Sequence, residues 1–229
     1  MRFGFDPKGR STELVKDGIA HLSQLIDVFE SGQSKPHDID INAKHEPLLL
    51  YDMSFMALAL CSAYRALLLP EATEISSRVF FLIDKSFWVR QWGGWNDHNG
   101  PNPKKLANPH MHYLEACLTD YEISFSEKSK NRIKQICELF EEHMFDARSG
   151  AVLEYFNIDW SVDGDREEQA VEPGHCYEWA FLLKEAERLS GRDLGSWRRL
   201  LIAFAEAHGV DRDGKVFDWV RLDGVSQAE

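Results

Sequence analysis

In Glu172-Pro-Gly-His-Cys-Tyr-Glu-Trp179, a loop of turn residues enters an apolar helix. A proline and a glycine interrupt the regular backbone, and a helix is predicted from His175 to Ser190. Residues three apart share one face of a helix, so His175 and Glu178 are predicted to project together. A carboxylate beside an imidazole orients the ring and stabilises its protonated form. The stretch therefore predicts a histidine–carboxylate pair at a helix start.

An earlier stretch, Asn108-Pro-His-Met-His-Tyr-Leu-Glu-Ala116, has the same form. There His112 precedes Glu115 by three residues as another predicted helix begins. Glu115 stands among apolar residues, as Glu178 does, and a carboxylate in such surroundings needs a partner. His110 lies two residues from His112 and is predicted to point to the surface or into a loop. Two such pairs, each opening a helix, are the main functional signal of the sequence.

Outward from these stretches, the chain alternates apolar helices with more polar ones. Hydrophobic periodicity and turn residues predict helices over residues 11–32, 48–69, 71–88, 108–125, 127–145, 175–190 and 194–208. Short β structure is predicted at 151–160 and 216–220. The apolar helices, those near Tyr51, Met111 and His175, are each followed by a helix with a polar stripe.

Superimposing the starts of the apolar helices aligns Asp52, His112 and His175, at spacings of 60 and 63 residues. A period of this length in helical hairpins indicates a repeat architecture. An all-round apolar helix must be covered on both sides, whereas its polar-striped partner can face water. The predicted fold is all-α, an (α/α)6-toroid type with short β-hairpin insertions, and residues 1–229 form a single, partial α/α-barrel domain. The starts of the inner helices then meet at one mouth, where His112 and His175 become neighbours.

Composition excludes several classes of function. The net charge is −12 and no run of Lys or Arg is longer than a pair, so neither a nucleic acid nor an anionic membrane surface is expected as a partner. Residues 48–69 are apolar, but Asp52 and Arg65 within them favour a buried helix over a membrane span. The cysteines are scattered singly, which predicts free thiols, and no signal peptide is visible. A cytoplasmic location is expected.

At these motifs the sequence resembles the N-acylglucosamine 2-epimerase superfamily, in its aldose–ketose isomerase and mannose-6-phosphate-isomerase-like branch. Three family motifs match, Asn-x-x-Met-His-x-x-Glu-Ala at 108–116, Pro-Gly-His-x-x-Glu-Trp at 173–179 and, more weakly, Leu-Tyr-Asp-x-x-Phe at 50–55. Members of this family form about six hairpins, and this chain supplies about three and a half. The resemblance therefore implies a partial chain.

The resemblance implies an enzyme that acts on a reducing sugar. Its implied catalytic residues are His175 as general acid/base at C1–C2, Glu178 as the group that pairs with or orients it, and His112, which holds the sugar and assists ring opening. The implied substrate-binding residues are Asn108, Glu115, Tyr51 and Trp179.

The expected substrate is a mannose-type sugar or its N-acyl or phosphorylated form. Moving a proton between C2 and C1 of an enediolate can use one base, and histidine titrates near the working pH. Inverting C2 needs a second group, and the family's further histidine has no counterpart here, so aldose–ketose isomerisation is favoured over 2-epimerisation. No cofactor and no metal is required, because neighbouring donors can hold the enediolate charge.

Two alternatives stay open. His112, Glu115, His175 and Glu178 resemble in composition the carboxylate–histidine metal sites of helical bundles. Alternatively, the chain is a non-catalytic truncated homologue that acts as a sugar-binding or oligomerising module. A partial ring exposes apolar inner helices, so oligomerisation, for example as a homo-oligomer, or instability is expected.

Overall fold

A computed structural model describes residues 9–31 and 47–223 of the chain. Its helices are α1 (Arg10–Ser31), α2 (Leu50–Leu67), α3 (Pro70–Phe87), α4 (Ala107–Ser124), α5 (Glu127–Leu139), α6 (Pro173–Ser190) and α7 (Gly195–His208). The ends of these helices lie within two residues of the predicted ends, and methods of assigning helix ends commonly differ by that much. The exception is the helix predicted at 127–145, because α5 ends in a π-helical turn, Phe140–Met144, and the chain is extended from Phe145.

Local chemistry explains several helix ends. Pro70 and Pro173 occupy the first helical position of α3 and α6, where a missing N–H costs nothing. Gly191 ends α6 in the left-handed conformation, which a glycine adopts without strain. Leu68 and Phe125 end α2 and α4 in the same conformation, although both carry a side chain.

The helices form two layers of antiparallel hairpins. Helix α4 packs between α2 and α6, while α3, α5 and α7 each cover the preceding helix from outside. Helix α1 packs chiefly against α3. This arrangement confirms the predicted alternation of inner and outer helices. It also places the starts of the inner helices α2, α4 and α6 side by side.

Three short antiparallel ribbons lie among these helices. Their strands are β1 (Lys105–Leu106) with β4 (Tyr155–Phe156), β2 (Phe145–Asp146) with β3 (Ala151–Val152), and β5 (Ala170–Val171) with β6 (Val220–Arg221). The β structure predicted at 151–160 occurs as β3 and β4, whereas that predicted at 216–220 occurs as a single bridge from Val216 to Val210 and as β6. Two of the ribbons lead directly into inner helices, β1 into α4 and β5 into α6, and they fix how those helices begin.

An ion pair joins the outer helices α3 and α5, and its carboxylate also contacts the inner helix α4. The guanidinium of Arg132 on α5 donates from Nη2 to Asp84 of α3 at 2.6 Å. The same carboxylate accepts from the hydroxyl of Tyr113 on α4 at 3.1 Å and from the indole of Trp95 at 3.3 Å. Arg132 is buried, whereas the side chain of Asp84 is 41% exposed, so a partly solvated carboxylate compensates a buried charge.

No helix in the described part of the chain is both long and apolar enough to cross a membrane. All four cysteines lie in described helices, where each is buried and unpaired, as expected. The prediction of one partial domain over 1–229 includes residues outside the described ranges and stays a prediction, as does the cytoplasmic location.

Candidate active site

His175 is held at the start of α6 by a carboxylate on each ring nitrogen. Its Nδ1 lies 3.0 Å from Oε1 of Glu154, and its Nε2 lies 3.2 Å from Oε2 of Glu172. The imidazole is buried, and so is Glu154, whereas the side chain of Glu172 is partly exposed. Since an ionised carboxylate only accepts hydrogen bonds, both ring nitrogens act as donors when His175 is protonated.

Glu154 reaches His175 from the short segment between β3 and β4. Its backbone carbonyl accepts from the N–H of Ala107 at 3.0 Å, and its own N–H donates to Oε1 of Gln169 at 3.2 Å. One residue thus connects the start of α4 to the start of α6. The sequence prediction missed Glu154, although a lone carboxylate inside the apolar run 151–156 is a usable signal for a buried partner.

The electrostatics of this pair favour the charged histidine. Burial lowers the pKa of His175, but the hydrogen bond to Glu154 and the charges of Glu154, Glu172 and Glu178 outweigh it, so the pKa lies above its usual value. Burial raises the pKa of Glu154, and the hydrogen bond and charge of His175 act in the opposite direction. The coupling stabilises an imidazolium–carboxylate pair, because each charge compensates the burial of the other.

Two predictions about α6 concern Glu178 and Trp179. Glu178 lies on the exposed side of the helix and acts on His175 through its charge, whereas the hydrogen bonds of the imidazole go to Glu154 and Glu172. The orienting role predicted for Glu178 is therefore wrong, because the helix turns that side chain away. Trp179 is also not at the surface: it is fully buried, with its ring 4.6 Å from that of Phe140. It packs in the core, with its indole Nε1 buried without a hydrogen-bond partner in the described part of the chain, and its predicted role in sugar binding stays a prediction.

A second cluster surrounds His112 on α4. Nδ1 of His112 lies 3.3 Å from Oε2 of Glu115, so this predicted pair forms. The imidazole also contacts the rings of Phe55 at 4.5 Å and Tyr51 at 5.2 Å between centroids, both from the start of α2. Tyr51 and Phe55 are partly exposed, so the cluster combines two accessible aromatic faces with a half-buried histidine–carboxylate pair.

Asn108 lies one helical turn before His112. It is half-buried, and its Oδ1 is buried without a hydrogen-bond partner. A buried carbonyl oxygen without a partner is costly, so a hydroxyl group that reached it would be bound favourably. This side chain is the clearest free acceptor of the candidate site.

The two clusters lie at the same end of the inner helices. The chain of contacts from Ala107 through Glu154 to His175 connects the starts of α4 and α6. The start of α2 joins them, because the N–H of Leu50 donates to the carbonyl of Asp97 at 2.8 Å. The N–H of Asp97 donates in turn to Lys104, which precedes β1. The predicted meeting of helix starts at one end is therefore found.

The inner helices also share one accessible face. On α4 the less buried positions Asn108, His112, Glu115 and Glu122 follow helical spacing, while most residues between them are buried. Glu122 forms ion pairs with Arg65 of α2 at 3.5 Å and with Arg188 of α6. Glu178 and Arg188 are both exposed on α6, about 80° apart around its axis. Glu178 therefore lies beside the surface that Glu122 and Arg188 form.

His110 was predicted to be at the surface or in a loop, and this is wrong. It is fully buried, with Nδ1 2.7 Å from the carbonyl of Leu106, and its Nε2 accepts from the N–H of Trp95 at 3.1 Å. Burial lowers its pKa to about 3, so the ring is neutral near neutral pH. His110 therefore anchors the loop before α4 to the core.

Within residues 9–31 and 47–223, no group of three or more His, Cys, Asp or Glu side chains is arranged to hold a metal ion. The alternative metal set of His112, Glu115, His175 and Glu178 is therefore not assembled, because His175 is occupied by Glu154 and Glu172 instead.

Comparison with known sequences identifies relatives of the whole described region. The model of the N-acylglucosamine 2-epimerase (GlcNAc 2-epimerase) family matches residues 3–225. A protein named mannose-6-phosphate isomerase from Rhizobium meliloti (strain 1021) is 31% identical over 192 residues, which cover 79% of this chain and 48% of the relative. A D-mannose isomerase from Pseudomonas cannabina pv. alisalensis is 30% identical over 222 residues, or 88% and 53%. The chain spans about half the length of the curated relatives it matches.

Solved structures show the same fold. Cellobiose 2-epimerase from Bacillus thermoamylovorans B4167 matches with a TM-score of 0.70 at 22% identity, over 79% of this chain and 50% of that one. A D-mannose isomerase crystal structure matches with a TM-score of 0.67 at 22% identity, over 79% and 48%. These matches confirm the toroid-type arrangement of helical hairpins, of which this chain contains about half.

Proposed function

Because the chain belongs to the N-acylglucosamine 2-epimerase family, we propose that it is a sugar isomerase that interconverts an aldose and a ketose of mannose type. The observation that carries the proposal is the imidazole of His175, buried between two carboxylates at the same end of the inner helices as the pair of His112 and Glu115. Curated relatives named mannose-6-phosphate isomerase and D-mannose isomerase support a sugar of this class.

The proposed reaction needs ring opening followed by one proton transfer. An acid gives a proton to the ring oxygen as the C1–O5 bond breaks, and a base takes the proton from the anomeric hydroxyl, which leaves the open-chain aldehyde. His175, neutral after a donation from Nε2, then removes the proton from C2, and the electron pair moves into an enediolate. A proton passes from the C2 hydroxyl to the C1 oxygen of the enediolate, and the imidazolium returns the first proton from Nε2 to C1, which gives the ketose. An imidazole suits both steps because its pKa lies near the working pH.

The remaining residues are proposed to bind the sugar. The unpaired Oδ1 of Asn108 can accept from a sugar hydroxyl. The exposed ring of Tyr51 offers a surface for the apolar C–H face of a hexose. His112, oriented by Glu115, assists ring opening, and Glu178 stays a proposed catalytic carboxylate because it lies exposed on α6.

Deuterium exchange at C2 tests the proposal. The chain is incubated with mannose in deuterium oxide, and loss of the C2 proton and formation of ketose are followed by NMR. We expect exchange by the wild type and its loss, by roughly a hundredfold or more, in His175→Ala. His21→Ala, which removes an exposed imidazole from α1, is the matched control.

Wild-type exchange that persists in His175→Ala would remove this residue from the mechanism. If mannose binds, as measured by calorimetry, but neither exchanges nor isomerises, the chain is instead the sugar-binding module considered above. The same experiment with N-acetylmannosamine and mannose 6-phosphate assigns the substituents that the site accepts.

A further inference from the structure

Each ring nitrogen of His175 faces a carboxylate, but the two carboxylates are held very differently. Glu154 is buried, and both its backbone N–H and its carbonyl are bonded, to Gln169 and Ala107. Glu172 is the residue just before α6, its side chain is partly exposed, and it forms no capping bond to the helix. One partner is thus fixed in the core and the other stands at the accessible rim.

We propose that Glu154 and Glu172 are positioning residues for His175, with Glu154 fixing Nδ1 as a donor and Glu172 holding Nε2 until a sugar hydroxyl displaces it. The inference rests on the proposed function, since it assigns the ring nitrogen that works in that reaction. Nε2 is the reactive nitrogen because Glu154 cannot leave Nδ1 without exposing a buried carboxylate to an apolar environment.

The charges that act on His175 come from two elements. The β3–β4 segment contributes Glu154, with Tyr155 beside it, and α6 and its entry contribute Glu172 and Glu178. The carboxylates are negative and no cation contributes to the shift of His175. Their combined effect raises the pKa of His175 in spite of its burial, which by itself lowers it. The free site therefore holds the imidazolium over a wider pH range than an ordinary histidine does.

This arrangement sets the order of the proposed steps. A protonated imidazole can act as an acid but not as a base. His175 therefore first donates its Nε2 proton to the ring oxygen of the bound sugar. The ring of His175 is then neutral, and the electron pair on Nε2 is free to take the C2 proton. Glu172, once displaced, accepts from a sugar hydroxyl or from water, while Glu154 keeps Nδ1 protonated throughout.

The test begins with a readout that does not depend on activity. The protonation of His175 is followed by NMR, with ¹⁵N in the imidazole, in the wild type and in Glu154→Gln, Glu172→Gln and Glu168→Gln. Glu168 is an exposed carboxylate shortly before α6 and serves as the control. We expect the pKa of His175 to fall in the first two variants and to be unchanged in Glu168→Gln. An unchanged value in Glu154→Gln, or an equal fall in the control, overturns the proposal.

Kinetics then separate the two roles. Glu154→Gln is expected to lower kcat by roughly tenfold or more with little change in KM, and to move the alkaline limb of the kcat/KM profile to lower pH, because His175 must be protonated in the free enzyme. Glu172→Gln is expected to lower KM, because the sugar no longer competes with a charged side chain for Nε2. A rise in KM in Glu172→Gln would contradict the displacement step. If the wild type shows no exchange with any sugar while the NMR shifts occur, the positioning of His175 holds and the proposed function fails.

Discussion

At the residue level, Lys105 is a fully buried ionisable group whose Nζ has no hydrogen-bond partner among the residues that the structure describes. Its Nζ lies 5.2 Å from the centre of the Trp160 ring. Burial lowers its pKa to about 8, with the charge of Asp97 acting in the opposite direction. Below pH about 8 the folded chain bears the whole cost of the buried ammonium. That cost is removed between pH about 8 and 10.5, because the folded state loses its proton before the unfolded state does.

Lys105→Met should therefore stabilise the protein by about 2 kcal/mol near pH 7, after allowance for the lost cation–π contact. The gain should fade as the pH approaches 10.5, where the unfolded lysine also becomes neutral. Urea unfolding near pH 7 and near pH 10 measures both effects. Lys104→Met is the matched control: this neighbour is partly exposed and pairs with Asp163 at 3.1 Å, so its loss should cost less than about 1 kcal/mol. A gain that does not depend on pH would contradict the argument.

The sequence predicted the partner of a histidine correctly where the two residues are close along the chain. His112 and Glu115 are three positions apart on one helix, and helical geometry alone brings them together. The same rule failed for His175, because its deeper partner, Glu154, lies 21 positions away and arrives through a β ribbon. The other partner, Glu172, is three residues before His175. A search for a carboxylate three residues before the histidine, as well as three residues after it, would have found Glu172.

At the scale of elements, two carboxylates each join three helices, and they should differ greatly in their effect on stability. Asp84 joins α3 to Tyr113 of α4 and to the buried Arg132 of α5. Glu122 joins α4 to Arg65 of α2 and Arg188 of α6, whose side chains are 59% and 51% exposed. Removing one member of an ion pair leaves the other charge uncompensated only where water cannot solvate that charge.

Asp84→Ala should therefore lower the free energy of unfolding by about 3 kcal/mol, because it leaves a buried guanidinium and a phenol unpaired. Glu122→Ala should lower it by less than about 1 kcal/mol, since its partners are solvated. Chemical denaturation of both variants at the same pH measures the difference. Equal losses would show that exposure does not set the value of these contacts.

At the scale of the whole molecule, the period of the apolar helices predicted the ring-like arrangement correctly. The alternation survives because an inner helix such as α4 must be apolar nearly all round, and this requirement is visible in the sequence. The period did not predict which side chains of the inner helices face inward. Trp179 has the residue type of a sugar platform, yet the rotation of α6 places it against Phe140. A rotation of this kind is fixed by packing between helices, which no local pattern encodes.

The accessible face of the inner helices leads to a prediction about assembly. Tyr51 and Phe55 on α2 and Phe181 on α6 are large apolar side chains that remain exposed, and exposed apolar surface favours association. We therefore expect the 229-residue chain to form a homo-oligomer, with this face at least partly covered by a second copy. Phe181→Glu should shift the chain toward the monomer, because a charge would have to be buried on association. Leu14→Glu, at an exposed position on α1, should not shift the chain toward the monomer. Sedimentation velocity over a hundredfold range of concentration measures both, and a wild type that is monomeric throughout would contradict the prediction.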